Sequence, residues 1–153
     1  MLLEVRDATP SDAEFAWALY GPFVKDNLFT GQSGRPPPNK WHDAQERAKF
    51  DQYYQTRRNY VVDIDGEKAG WMAVQEAERV LSIENAILTD AWRNKGVIEK
   101  FVSEMLPIWK QAGLIVEAPI LDDTSMSAPL GGLLARLGFK KAHSDGMCTF
   151  YQA

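Results

Sequence analysis

Residues 81–98 read LSIENAILTDAWRNKGVI. Val80 to Leu88 is rich in apolar residues and carries Ile83 and Ile87 at spacings that suit a strand. A short polar stretch, Arg93-Asn94-Lys95-Gly96, follows, and from Val97 the pattern changes period. Val97, Phe101, Val102, Met105, Ile108 and Trp109 form one broad apolar face of an amphipathic helix. Asp90 is expected to cap that helix, which is expected to begin between Trp92 and Lys95. A strand, a glycine-bearing turn and a helix in this order set backbone N–H groups at the positive end of the helix dipole, where an anion binds.

Upstream, Tyr60-Val61-Val62-Asp63-Ile64, a turn at Asp65-Gly66, and Ala69 to Val74 read as a hairpin. Residues 80–88 add a third antiparallel strand, reached through a turn expected at Glu76 to Glu78. At the start, Leu2 to Arg6 alternates as a short strand. Thr9-Pro10-Ser11-Asp12 then opens a helix, with Pro10 at the first helical position and Asp12 at capping-box spacing. That helix should run from Pro10 to about Leu28, with Gly21-Pro22 as the point of interruption.

Phe29 to Asn39 holds three prolines and two glycines and reads as an irregular loop. Trp41 to Tyr54 has helical composition. Phe29, Trp41, Tyr53 and Tyr54 are candidates to line a ligand pocket, although aromatics at helical spacing more often belong to a core. Downstream, Pro107 should kink the last turns of the long helix, and Gly113 should end it. Leu114 to Leu121 is a buried strand. A last helix near Pro129 to Leu137 closes at Gly138, and Phe150-Tyr151 ends the chain as a strand that could begin at Met147.

The chain has 153 residues, a length at which one domain buries roughly two-thirds of its unfolded surface without a metal or disulfide staple. A single domain over 1–153 is therefore expected. A formal charge of -4 argues against a nucleic-acid surface, which normally carries a Lys/Arg excess. No apolar run approaches the ~20 residues of a membrane helix, and the first residues lack the features of a signal peptide. No membrane association and a cytoplasmic location are the expectations. The single Cys148 is without a Cys/His cluster for zinc and reads as a structural thiol, and neither His42 nor His143 suggests a nucleophilic dyad.

With these residues in view, residues 81–98 resemble the strand-loop-helix core of the GNAT superfamily of acyl-CoA-dependent N-acyltransferases. Val5 to Asp12 looks like that family's opening and Leu133-Leu134-Ala135-Arg136-Leu137-Gly138-Phe139 like its closing helix. The resemblance implies an α+β fold, an α/β/α sandwich whose mixed central sheet contains an antiparallel meander and is flanked by about four helices. It implies acetyl-CoA as co-substrate and a primary amine, on a small molecule or peptide, as acceptor.

The family signature is Gln or Arg, two residues, Gly, one residue, then Gly or Ala. Arg93, Asn94, Lys95, Gly96 and Val97 fit it, and Ile98 departs from it. The cofactor set implied is Leu88, Arg93, Asn94, Lys95, Gly96, Val97, Ile98 and Ser127. In it the Leu88 region supplies a backbone N–H to polarise the thioester carbonyl, and Ser127 stands where relatives carry Asn. Glu84 is the candidate base. Leu134 stands where many relatives carry the Tyr that protonates the leaving thiolate. These departures support an alternative: a non-catalytic GNAT-like module, for instance within a larger, even viral, assembly, where the partner is a protein. Homodimers are common among relatives.

Overall fold

The structure, a computed structural model, describes residues 2–27, 40–122 and 127–153. Within them are seven strands and four helices. The strands form one mixed sheet in the order β1-β2-β3-β4-β5-β7-β6, neighbours being hydrogen-bonded. These strands are β1 Leu3–Asp7, β2 Arg58–Ile64, β3 Glu67–Ala77, β4 Val80–Leu88, β5 Ile115–Leu121, β6 Lys140–Ser144 and β7 Cys148–Gln152. The helices are α1 Ala13–Asn27, α2 Asp43–Thr56, α3 Val97–Gln111 and α4 Ser127–Arg136. This is the fold class expected. The proline-rich segment from Phe29 to Asn39, and with it the candidate pocket residue Phe29, lies outside the described residues. Among the described residues, no helix is long and apolar enough to cross a membrane.

The chain divides into two compact units, Met1–Val74 with Asn85–Arg93, and Gln75–Glu84 with Asn94–Ala153. In the first, β1 and β2 pair antiparallel from Leu3↔Ile64 to Asp7↔Tyr60, and β2 pairs antiparallel with β3. Asp65 and Gly66 both take positive φ, as a two-residue hairpin turn of this twist requires. Pro10–Asp12 forms a 3-10 turn ahead of α1 rather than its first helical turn. Asp12 acts as the capping-box acid, its carboxylate accepting the Thr9 backbone N–H at 2.9 Å. Gly21-Pro22 does not interrupt α1. Gly21 instead makes room for the Trp17 ring, which a methyl group there would meet at 3.2 Å.

The core of this unit joins Ala16 of α1, Phe50 of α2, Trp71 and Ala73 of β3 and Ile87 of β4. Tyr53 and Tyr54 pack against it, and Trp41 stacks on Trp17 at 6.5 Å, so these three candidate pocket aromatics are tied to the core side of α1 and α2. Two buried polar residues are fully engaged. Asn59 accepts the Trp71 indole N–H at 3.0 Å and donates to the Tyr54 and Arg57 carbonyls at 2.8 and 3.0 Å. Asp12 holds Arg6 at 3.0 Å and Lys68 at 2.9 Å, and Arg6 also reaches Asp63 at 2.8 Å.

In the second unit, β3 runs to Ala77 and the reversal falls at Glu78-Arg79, not at Glu76 to Glu78. Both residues take positive φ without a glycine, so the turn carried no composition signal. The Arg79 carbonyl accepts the Ile115 N–H at 2.9 Å, which ties the turn to β5. β4 pairs parallel with β5 over Val80↔Ile115 to Ser82↔Glu117. α3 and α4 both pack on β5. α3 runs through Pro107 to Gln111 and ends at Gly113, whose φ is +81°. β6 was not legible in the sequence. All five of its residues are exposed, so no apolar alternation marks it, and Lys140-Lys141 suits an edge strand that resists further pairing.

Candidate active site

β4 ends at Leu88, and the next residue, Thr89, donates its N–H to the Ala69 carbonyl at 2.8 Å. A 3-10 turn covers Asp90–Trp92, and Asp90 pairs with Arg93 at 2.8 Å rather than capping α3. α3 starts at Val97, later than the position between Trp92 and Lys95 that its polar leader suggested. The reason is local. Gly96 has φ +75° and Asn94 φ +60°, and a right-handed helix cannot run through such residues.

That same geometry shapes the loop. Asn94 and Gly96 are left-handed while Lys95 between them is not, an alternation that turns successive backbone N–H groups toward one concave side. Directly after it comes the first turn of α3. The bond from Lys100 N–H to the Gly96 carbonyl, 3.0 Å, is the first of the helix, which leaves the N–H groups of Val97, Ile98 and Glu99 outside the helical ladder. Arg93, Asn94, Lys95 and Gly96 are all exposed, and a methyl built on Gly96 meets no protein atom within 4 Å. The loop is open and its donors belong to the main chain.

The other candidates are placed as follows. Val97 is a core residue, 1% exposed. Ile98 is half-buried on the row it shares with buried Val102, four residues on. Arg93 is partly spent on the first unit, its Nε donating to the Leu88 carbonyl at 3.2 Å. Leu88 is buried, and its side chain lies where a methyl on Gly70 would meet it at 2.6 Å. Glu84 is half-buried on β4. Its neighbour Asn85 points to the other face of the strand, donating to the Tyr53 hydroxyl at 2.9 Å. Ser127 is the first residue of α4, and its capping geometry involves residues outside those described. Leu134 is 4% exposed. Asn94 to Ile98, Glu84 and Ser127 fall in the second unit, Leu88 and Arg93 in the first.

Sequence reasoning passed over Tyr151. Its hydroxyl sits against α4, where a methyl on Gly131 would lie 2.8 Å from it. The signal was present, because two consecutive glycines, Gly131-Gly132, inside a helix mark a close approach more often than a free choice. Among the described residues, no group of three His, Cys, Asp or Glu side chains could hold a metal ion.

A mixed seven-stranded sheet with four helices is the architecture that the chain shares with solved acetyltransferase structures, and the chain has the GNAT superfamily fold. No family model matches the chain, and no curated protein matches it. Solved structures do. It is similar to the PaiA N-acetyltransferase of Thermoplasma acidophilum in complex with coenzyme A, with a TM-score of 0.68 at 12% identity over 99% of this chain and 98% of that one. It is similar to an N-acetyltransferase of Staphylococcus aureus Mu50, with a TM-score of 0.70 at 17% identity over 100% and 98%. The ribosomal-protein-S18-alanine N-acetyltransferase of Escherichia coli gives 0.66 at 12% over 99% and 91%.

Proposed function

We propose that the protein is an N-acyltransferase that moves an acetyl group from acetyl-CoA to a primary amine on a small molecule or peptide. The observation that carries this reading is the turn at Asn94 to Gly96. Its alternating backbone, followed by the first-turn N–H groups of α3, suits a main-chain anion cradle, and the neighbours of this fold include one solved with coenzyme A. The pyrophosphate of acetyl-CoA is the anion such a cradle fits. Ile98 replaces a small residue, but its backbone N–H is unaffected by the side chain. Glu84 is the group proposed to take a proton from the incoming ammonium, since only a neutral amine attacks a thioester.

The test is a thermal melt with acetyl-CoA, with ATP as a control. At about a hundred times its dissociation constant, a ligand stabilises the native state by ~2.7 kcal/mol. For a chain of this size that is a rise of roughly 5–10 °C in Tm. Gly96→Val supplies the matched variant. A Cβ there meets no protein atom within 4 Å, but a branched residue is strained at φ +75°, so the ligand-free Tm and circular dichroism first establish that the fold survives, and loss of the acetyl-CoA shift then assigns the cradle. No shift in the wild type would overturn the enzyme reading in favour of the non-catalytic module. An undiminished shift in Gly96→Val would place the phosphates elsewhere.

A further inference from the structure

α3 begins with a side chain that works against an anion at its own first turn. Glu99 lies in that turn, and its backbone N–H is among those outside the helical ladder. A carboxylate there suits the helix dipole, but it repels any phosphate that approaches the same turn. The charge is answered from another helix. Arg136, the last residue of α4, donates from Nε to the Glu99 carboxylate at 3.2 Å. Both residues belong to the second unit, as do Asn94 to Gly96.

The Arg136 side chain lies back along α4. Its Nη1 is 3.8 Å from where a methyl on Gly132 would stand, one turn earlier in the helix. Nε is used on Glu99, and neither Nη group has a hydrogen-bond partner among the described residues. A guanidinium held through Nε keeps its two Nη groups as a fork that matches two oxygens of one phosphate. Arg93 cannot take this part, because Asp90 and the Leu88 carbonyl already engage it. Lys95 and Lys100 bring charge near the turn but no fork.

We infer that Arg136 binds the adenosine 3′-phosphate of acetyl-CoA, a role that rests on the acetyl-CoA reading above. That co-substrate carries two separate anionic groups. Its pyrophosphate suits main-chain N–H groups, whereas the phosphate monoester on its ribose bears close to two charges and calls for a cation. Glu99 is then a positioning residue. It holds the guanidinium beside the first turn of α3 before the ligand arrives, so less rotamer freedom is lost on binding. The pair sets which carrier the site accepts, CoA over its form without the 3′-phosphate.

The experiment measures binding of CoA and of dephospho-CoA, which differ only in that phosphate, to the full chain by titration calorimetry. Wild type should bind CoA about tenfold tighter, the worth of a charge-assisted fork at an exposed site. Arg136→Gln should lose that tenfold for CoA and leave dephospho-CoA unchanged, so that the two ligands bind alike. Its ligand-free Tm should stay within about 2 °C of wild type, because the ion pair it breaks is exposed. A wild type that binds both ligands equally overturns the assignment, as does an Arg136→Gln variant that still prefers CoA or that weakens both ligands to the same extent. A wild type that binds neither overturns the acetyl-CoA reading and the assignment with it.

Discussion

Removing the Asn59 side chain should cost more stability than any surface change in the first unit, and its bonds say how much. The side chain makes three hydrogen bonds, and the residue is only 8% exposed. Its donor partner, the Trp71 indole, is fully buried, so Asn59→Ala leaves that N–H without water or protein to receive it. A stranded buried donor costs about 1–3 kcal/mol, and the two carbonyl bonds add about 0.5–1 each. The sum is roughly 2–5 kcal/mol, or about 4–20 °C in Tm. Urea unfolding followed by circular dichroism measures the single cost, and a cycle with Trp71→Phe isolates the indole bond. With the indole N–H gone, Asn59→Ala should cost about 1–2 kcal/mol less than in the wild type. A coupling below about 0.3 kcal/mol would refute the reasoning, because it would mean that the buried N–H finds another acceptor when Asn59 is absent.

Three further outcomes are expected. Hydrogen bonding from Arg6, above all, holds the Asp12 carboxyl well below the usual carboxylate range, so its stabilisation is complete above the unfolded value of ~3.9 and is lost as pH falls through the folded one. Asp12→Asn should therefore cost about 2 kcal/mol at pH 7, discounted for the part-exposed Arg6 and Lys68, with the gap to wild type narrowing in urea melts taken below about pH 4. Gly70→Ala should cost about 1–3 kcal/mol by calorimetry, because its methyl meets the Leu88 side chain at 2.6 Å and the Ile87 carbonyl at 3.1 Å; a cost near zero would mean that β4 yields freely. Gly132→Ala should raise stability by about 0.5–1 kcal/mol, as the helix gains a better former with nothing displaced, and a loss would place an unseen contact at that position.

Most of the architecture was legible because it is written in periodicity and turn chemistry. Asp65-Gly66 announces its hairpin, and Thr9-Pro10 with Asp12 announces the start of a helical segment. What stayed hidden lacks those signals for identifiable reasons. β6 is exposed along its whole length, and the Glu78-Arg79 turn uses left-handed residues that are not glycine. The start of α3 depended on backbone handedness at Asn94 and Gly96, which a polar leader that looks helical does not reveal. The candidate cradle was legible as a segment because its residues are contiguous. Tyr151 was not, since its relation to α4 is made by strand pairing and appears in the sequence only as an unexplained pair of glycines.

The two departures in this chain differ in kind, and the difference follows from which atoms do the work. An anion cradle is built from main-chain N–H groups, so a larger side chain at Ile98 leaves every donor in place and acts only through the space it fills. Because Ile98 sits on the row of buried Val102, that space is shared with the core side of α3. An acid is a side chain, so a buried leucine such as Leu134 cannot supply one and no backbone adjustment can make it do so.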